Sequence, residues 1–146
     1  MNTGSIKMYI ITCLDDNNGI AFNHRRQTKD RVVIEDIQKT VGEKNFWMTE
    51  YSVKLFDSMS NIKICEKPEK QAKKGEYVFL ELEAIDTSDE QIEQLIIYRW
   101  NRVYPADVTA YIGDEWKLAQ SLDFAGFSHE KITKEIYRRE FEGVNA

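Results

Sequence analysis

Apolar residues recur along this chain in short runs separated by polar turns, and the period inside each run alternates between strand-like and helical. Residues 7–14 are rich in β-branched and aromatic side chains and end in Asp15-Asp16-Asn17-Asn18-Gly19, a dense cluster of turn formers. A run of that kind predicts a central strand. From Thr28, read as an N-cap with Asp30 in the first turn, Val33, Ile34, Ile37 and Val41 recur at helical spacing until Gly42 stops them. Residues 45–48 predict a short buried strand, and Thr49-Glu50 the cap of a second helix that turns Val53, Leu55 and Phe56 to the core. Alternation returns at 61–65 and 76–80, two strands on either side of a Lys-rich connector with Pro68. Ser88-Asp89-Glu90-Gln91 has the form of a capping box and predicts a short helix before a strand over 95–100, which Pro105 and Asp107 close. In the last third, 116–118 and 132–141 are expected as antiparallel strands joined through 124–129. Ile132 and Ile136 are also spaced as on a helix, and topology favours the strand.

With no repeat, low-complexity tract or linker, the pattern predicts a single α/β domain over 1–146. Its core is a mixed, mostly parallel sheet flanked by helices and ending in an antiparallel hairpin. The 146 residues suffice to bury about two thirds of the unfolded surface. A content of 42% hydrophobic and 31% charged residues is that of a folded globule and excludes a disordered or fibrous chain. The net charge of −5 argues against a nucleic-acid polymer as partner, since such binding draws on clustered Lys and Arg. Cys13 and Cys65 sit in apolar runs and read as buried thiols, which suits a reducing cytosol. The apolar run 8–14 is far shorter than the roughly 20 residues of a membrane helix, and no targeting signal is visible.

The stretch from Ile10 through Asp15-Asp16-Asn17-Asn18-Gly19-Ile20 to Asn23 resembles the opening of dihydrofolate reductases, where a strand runs into an Asn-Gly-Ile loop over the substrate. The later elements follow in the order of that family. The resemblance implies its fold, and it places Asp30 at the position of the family's active-site acid. Three departures count against its reaction. His24-Arg25-Arg26-Gln27 stands where the family has an apolar Leu-Pro-Trp wall. Met48-Thr49-Glu50 replaces a Gly-Arg pair that holds a cofactor phosphate. Leu80-Glu81-Leu82-Glu83 replaces a Gly-Gly turn that lets the backbone approach a pyrophosphate. No cofactor is therefore expected, and the balance leans away from an enzyme. The runs 22–31, 98–107 and 128–133 are also similar to short proteins of gut Firmicutes and their phages, some of which carry a ribonuclease Z label. That enzyme holds two zinc ions in a His-x-His-x-Asp-His cluster, and this chain has only His24 and His129, so no metal site is expected.

His24, Arg25, Arg26, Lys29 and Arg31 gather potentially cationic side chains before and inside the start of a helix, a setting suited to an anion; the alternative is a solvated basic turn. If Arg99 and Asn101 face the helix carrying Asp30, they could read a phosphate or base edge while Trp100 or Tyr104 stacks; otherwise Trp100 is core and the arginines pair with acids. Ser128-His129-Glu130 are neighbours in sequence and do not make a hydrolytic triad. The expectation is a non-catalytic protein that binds an anionic, nucleotide-like small molecule through Asn23, His24, Arg25, Arg26, Asp30, Arg31, Arg99, Asn101, Tyr104 and His129. It would act in the cytoplasm of a bacterial cell, native or phage-encoded, by sequestering a host nucleotide signal, with a homo-oligomer as one arrangement and no membrane partner. Two other classes remain open: a degenerate reductase or a hydrolase using Asp30 and His129, and an interaction module presenting the aromatic tail 124–141.

Overall fold

The computed structural model describes residues 7–139. Ten strands and one α-helix follow in order: β1 (Met8–Leu14), β2 (Gly19–Phe22), β3 (Arg25–Arg26), α1 (Arg31–Val41), β4 (Phe46–Met48), β5 (Ile62–Ile64), β6 (Tyr77–Phe79), β7 (Ile92–Arg99), β8 (Val108–Thr109), β9 (Trp116–Phe124) and β10 (Ile132–Arg139). Short 3-10 helices span Glu50–Phe56 and Pro68–Lys70. Seven strands form one sheet in the order β5-β4-β6-β1-β7-β10-β9. Pairing is parallel from β5 through β7, and β10 turns antiparallel to both β7 and β9, which gives the expected C-terminal hairpin. A small antiparallel sheet, β3-β2-β8, lies apart from it.

Because side chains alternate along a strand, β1 and β7 divide their apolar residues between two cores. Ile11, Ile96 and Tyr98 pack on Val33, Ile37 and Val41 of α1 and on Phe46, Phe56 and Phe79. Those three rings meet edge to face at centroid distances of 5.0, 5.2 and 6.3 Å, the arrangement aromatic quadrupoles favour. Met8, Ile10, Leu95, Ile97 and Trp116 fill the other face under connecting segments that carry Leu82, Ile85, Ala110 and Ile112.

Five local expectations are corrected. The cap of α1 is Asp30 rather than Thr28: its extended backbone (φ −150, ψ 129) leaves the carboxylate free to accept from the Val32 N–H. The second helix is a 3-10 helix with no side-chain cap at Thr49. The apparent capping box at 88–91 forms turns, because Asp86 accepts from the Ser88 N–H and Asp89 from the Gln91 N–H, and β7 begins immediately afterwards. The basic segment after Phe22 is a hairpin, with Asn23 and His24 at φ 53 and 61 forming a two-residue turn between β2 and β3. Strand β9 also runs to Phe124, well past Leu118. Gly42, at φ +60, ends α1 as predicted, with its N–H donating to the Gln38 carbonyl. Of the expected last strand, 140–141 lie outside the described residues.

Candidate functional site

Asp30 and His129 are buried together beneath the turn that joins β9 to β10. The Phe127 N–H donates to both Asp30 oxygens (2.9 and 3.0 Å), the Ser128 N–H to Oδ2 (2.8 Å) and the Val32 N–H to Oδ1 (2.9 Å). His129 Nδ1 lies 2.9 Å from Oδ2. Burial pushes this carboxyl up, but the bonds from Phe127, His129, Ser128 and Val32 outweigh it and hold the group well below the usual carboxylate range. Facing a carboxylate, His129 Nδ1 is the donor, and Nε2 lies 3.0 Å from the Tyr104 hydroxyl. The ring is stacked on Trp100 at 4.7 Å. Gly126 allows this approach, since a Cβ there would stand 2.7 Å from Asp30 Oδ2 and 2.8 Å from the His129 carbonyl. Ser128 Oγ reaches His129 on the Asp30 side, at Nδ1 (3.3 Å), while Nε2 is taken by Tyr104, so no hydrolytic triad is assembled. The Asp30 oxygens are occupied by the chain's own donors.

Beside this cluster lies a cleft walled by β1, the 20–29 segment, α1, Glu81 and Trp100, with an enclosed space of about 20 Å³. That holds about one water. Arg26 and Glu81 form part of its wall: Nε and Nη2 donate to the two Glu81 oxygens at 2.8 and 2.9 Å, Ser52 Oγ donates to the same carboxylate at 2.6 Å, and the guanidinium lies 4.5 Å above the Tyr51 ring. Burial pushes the Cys13 thiol up, Glu81 adds to the effect and Arg26 opposes it. Cys13 and Cys65 are both free and partly buried.

The remaining sequence candidates separate. Arg99 alternates with Tyr98 on β7 and faces away from α1; it donates to Glu135 (2.8 Å) and to the Asn18 side chain. Asn101 is exposed at φ 59 and donates to the Lys131 carbonyl (3.1 Å) and Thr133 Oγ1 (3.0 Å). The condition that both face the helix carrying Asp30 is not met, and the alternative describes Arg99 and Trp100: Arg99 pairs with Glu135 and Trp100 is buried. Asn23, His24, Arg25 and Arg31 are exposed, with Arg31 lying 4.0 Å over the Phe127 ring. The fold thus unites Asp30, Tyr104 and His129, sets Arg26 in the cleft wall and leaves the others outside.

Two residues escaped the sequence reading. Glu81 was legible only as an obstacle to a pyrophosphate, and its partner lies 55 positions away. Asp15 was read as a turn former, yet it accepts from the Asn17 and Gly19 N–H groups, from Gln27 Nε2 and from the Tyr104 N–H, tying three loops together. The Asp-Asp-Asn-Asn-Gly cluster signalled its local bonds only.

No family model matches this chain, and no curated protein does. Among solved structures, a dihydrofolate reductase from Enterococcus faecalis, complexed with NADP(H) and RAB-propyl, superposes with a TM-score of 0.64 over 92% of this chain and 96% of that chain, at 8% sequence identity. The fold is therefore dihydrofolate-reductase-like, and the likeness carries the fold alone. The ribonuclease Z label finds no support in these matches. Among the described residues, no group of His, Cys, Asp and Glu could hold a metal ion, and no helix is long and apolar enough to cross a membrane.

The Enterococcus faecalis reductase was solved with NADP(H), and ligands of open α/β sheets sit outside the carboxyl ends of the strands, which here are those of β4, β5 and β6. Here Glu66, Glu69, Glu81 and Glu83 line a pocket of about 50 Å³ at that end, and Glu50, Glu66 and Glu83, against the single cation Lys67, line the adjoining open groove. Carboxylates stand where a pyrophosphate would need donors, so the residues present do not fit the group.

Proposed function

We propose that this protein is a non-catalytic binder of an anionic, nucleotide-like small molecule, received at the basic segment that walls the closed cleft. One observation carries the reading: Arg25, Lys29 and Arg31 have no carboxylate partner among the described residues, although the chain is acidic overall. Guanidinium forks suit phosphate and carboxylate oxygens, and Phe127, 65% exposed beneath Arg31, offers a ring on which a base can stack. Reduction is disfavoured on two counts, since Asp30 is saturated by internal donors and the cofactor surface is acidic. A protein that binds such a molecule without converting it acts by sequestration, in a bacterial cytoplasm and from either a host or a phage gene; assembly of several copies would multiply the sites.

The test is a thermal-shift panel of folates, nicotinamide cofactors, mononucleotides, cyclic dinucleotides and ADP-ribose derivatives, repeated on the Arg25→Glu/Arg31→Glu variant. A nucleotide is expected to raise the melting temperature of the native chain and not of the variant, because a ligand stabilises the state it binds. Stabilisation by a folate or NADPH would return the chain to the reductases. A second reading, an interaction module, is favoured by Leu118 and Leu122, which are 51% and 60% exposed on the edge strand β9. It predicts silence across the panel and indifference to the charge reversal.

A further inference from the structure

We infer that Glu81 is an internal substitute for the ligand's anion: it holds Arg26 in the closed cleft, and a carboxylate or phosphate ligand binds by displacing it. This rests on the anion-binding reading above and adds which residue receives the anion and what opens the cleft. Arg26 presents two donors of one fork edge, Nε at 2.8 Å and Nη2 at 2.9 Å, to the two oxygens of a single carboxylate. A ligand carboxylate, or two phosphate oxygens, takes the same geometry. The fork is set in advance, because its guanidinium rests on Tyr51 and the Arg26 N–H donates to the Tyr51 hydroxyl at 3.1 Å. An incoming anion therefore finds an oriented receptor rather than a mobile side chain.

The pair also works as a latch. Arg26 belongs to the short β2–β3 hairpin and Glu81 follows β6, so their bond ties the hairpin to the end of the main sheet. Glu81 forms part of the wall of both the 20 Å³ interior and the 50 Å³ pocket beyond it, so it has a place to go when it releases Arg26. That place is lined by Glu66, Glu69 and Glu83, and like charges disfavour the move unless Arg26 gains another anion in return. A ligand that binds only the open form draws the equilibrium toward it by its differential affinity.

Gln27 supplies an independent indication of what enters. Its Nε2 donates to Asp15 and to the Pro105 carbonyl, while Oε1 is buried and has no hydrogen-bond partner among the described residues. Gln27 lines the same interior as Phe79, Leu55 and Trp100. A buried acceptor left unmatched is costly, and an N–H donor on an entering ring would satisfy it. The ligand class these groups would recognise, once Glu81 has moved and the cleft has opened, is a flat heterocycle with an N–H donor and one carboxylate or phosphate.

The experiment uses the full chain with AMP as the phosphate probe and orotate as the carboxylate probe, titrated by calorimetry into the native protein, Glu81→Gln, Arg26→Gln and the double variant. Glu81→Gln keeps the shape and the acceptor for Ser52 but removes the competing charge, so at least one probe is expected to bind about tenfold tighter or better. Arg26→Gln and the double variant should lose that binding. Equal or weaker affinity in Glu81→Gln, or native affinity in Arg26→Gln, overturns the inference. If Glu81→Gln does not fold, the native chain decides: under a saturating probe the Arg26 Nε–H resonance should move, and its immobility overturns the inference. Binding to the native chain with no response at Arg26 leaves the anion reading standing and removes only the latch. Silence of native and variant chains toward the whole nucleotide panel removes both.

Discussion

Asp30 joins two elements that are distant in sequence: its carboxylate caps α1 through Val32 and gathers the backbone of Phe127 and Ser128 from the far hairpin. Asn at this position still caps a helix well, but its amide brings donors where Phe127 and Ser128 already donate. Each buried N–H left without an acceptor costs roughly 1–3 kcal/mol, so Asp30→Asn is expected to lower unfolding stability by about 3 kcal/mol, read as a fall in the urea midpoint with unchanged slope. An unchanged midpoint would refute the clamp. The same residue sets a pH dependence. Asp30 has a folded pKa below its unfolded value of about 3.9, as do Asp15 and, against about 4.3, Glu76. In each, burial opposes the shift and hydrogen bonds to the carboxylate prevail. The unfolded chain therefore binds more protons in acid, so this stabilisation is complete above about pH 5 and drains away as pH falls through the folded values. Urea midpoints measured from pH 6 to pH 2 should fall steeply below about pH 4, and less steeply in Asp30→Asn.

At the scale of elements, the β2–β3 turn carries a cost that its sequence conceals. A turn with both central residues at positive φ favours Asn-Gly, and here His24 occupies the second place at φ 61. A non-glycine residue in this region is strained by roughly 1 kcal/mol, partly offset by the greater freedom of glycine in the unfolded chain. His24→Gly is therefore expected to raise the melting temperature by a few degrees, whereas His24→Val should lower it. The missing glycine is also why the hairpin could be read as a basic loop. The strands β1 and β7 were legible because they carry dense β-branched and aromatic runs, whereas β10, with Lys134, Glu135, Arg138 and Arg139 among its apolar residues, was legible through topology alone. The 88–91 segment misled because a capping box and two successive Asx turns use the same residue types, and only the immediate onset of β7 at Ile92 decides between them. Of the candidate site, the fold brings Asp30, Tyr104 and His129 together. The face of Arg99 depended on strand register, fixed by pairing with β1 and β10 rather than by its own neighbours.

Across the whole molecule, charge is segregated around the cleft, with Arg25, Lys29 and Arg31 on the segment that walls one side and Glu66, Glu69 and Glu83 about the strand ends on the other. Two effects then oppose a nicotinamide cofactor, repulsion and lack of room, and their magnitudes can be separated. Exposed charges are screened within about 10 Å at 0.1 M salt, so repulsion alone would weaken binding without abolishing it. Ligand pockets usually hold about 300–1,000 Å³; the spaces on either side of Glu81 are about 20 and 50 Å³, and the adjoining groove of about 630 Å³ is open to solvent and does not enclose a ligand. Volume is the stronger bar. NADPH at saturating concentration should therefore leave the melting temperature unchanged in the native chain and equally in Glu66→Lys/Glu83→Lys, although that variant removes the repulsion. A rise in the variant alone would make charge the barrier and the cleft deformable, and a rise in the native chain would mean that the Arg26–Glu81 wall opens to a cofactor its carboxylates were argued to reject.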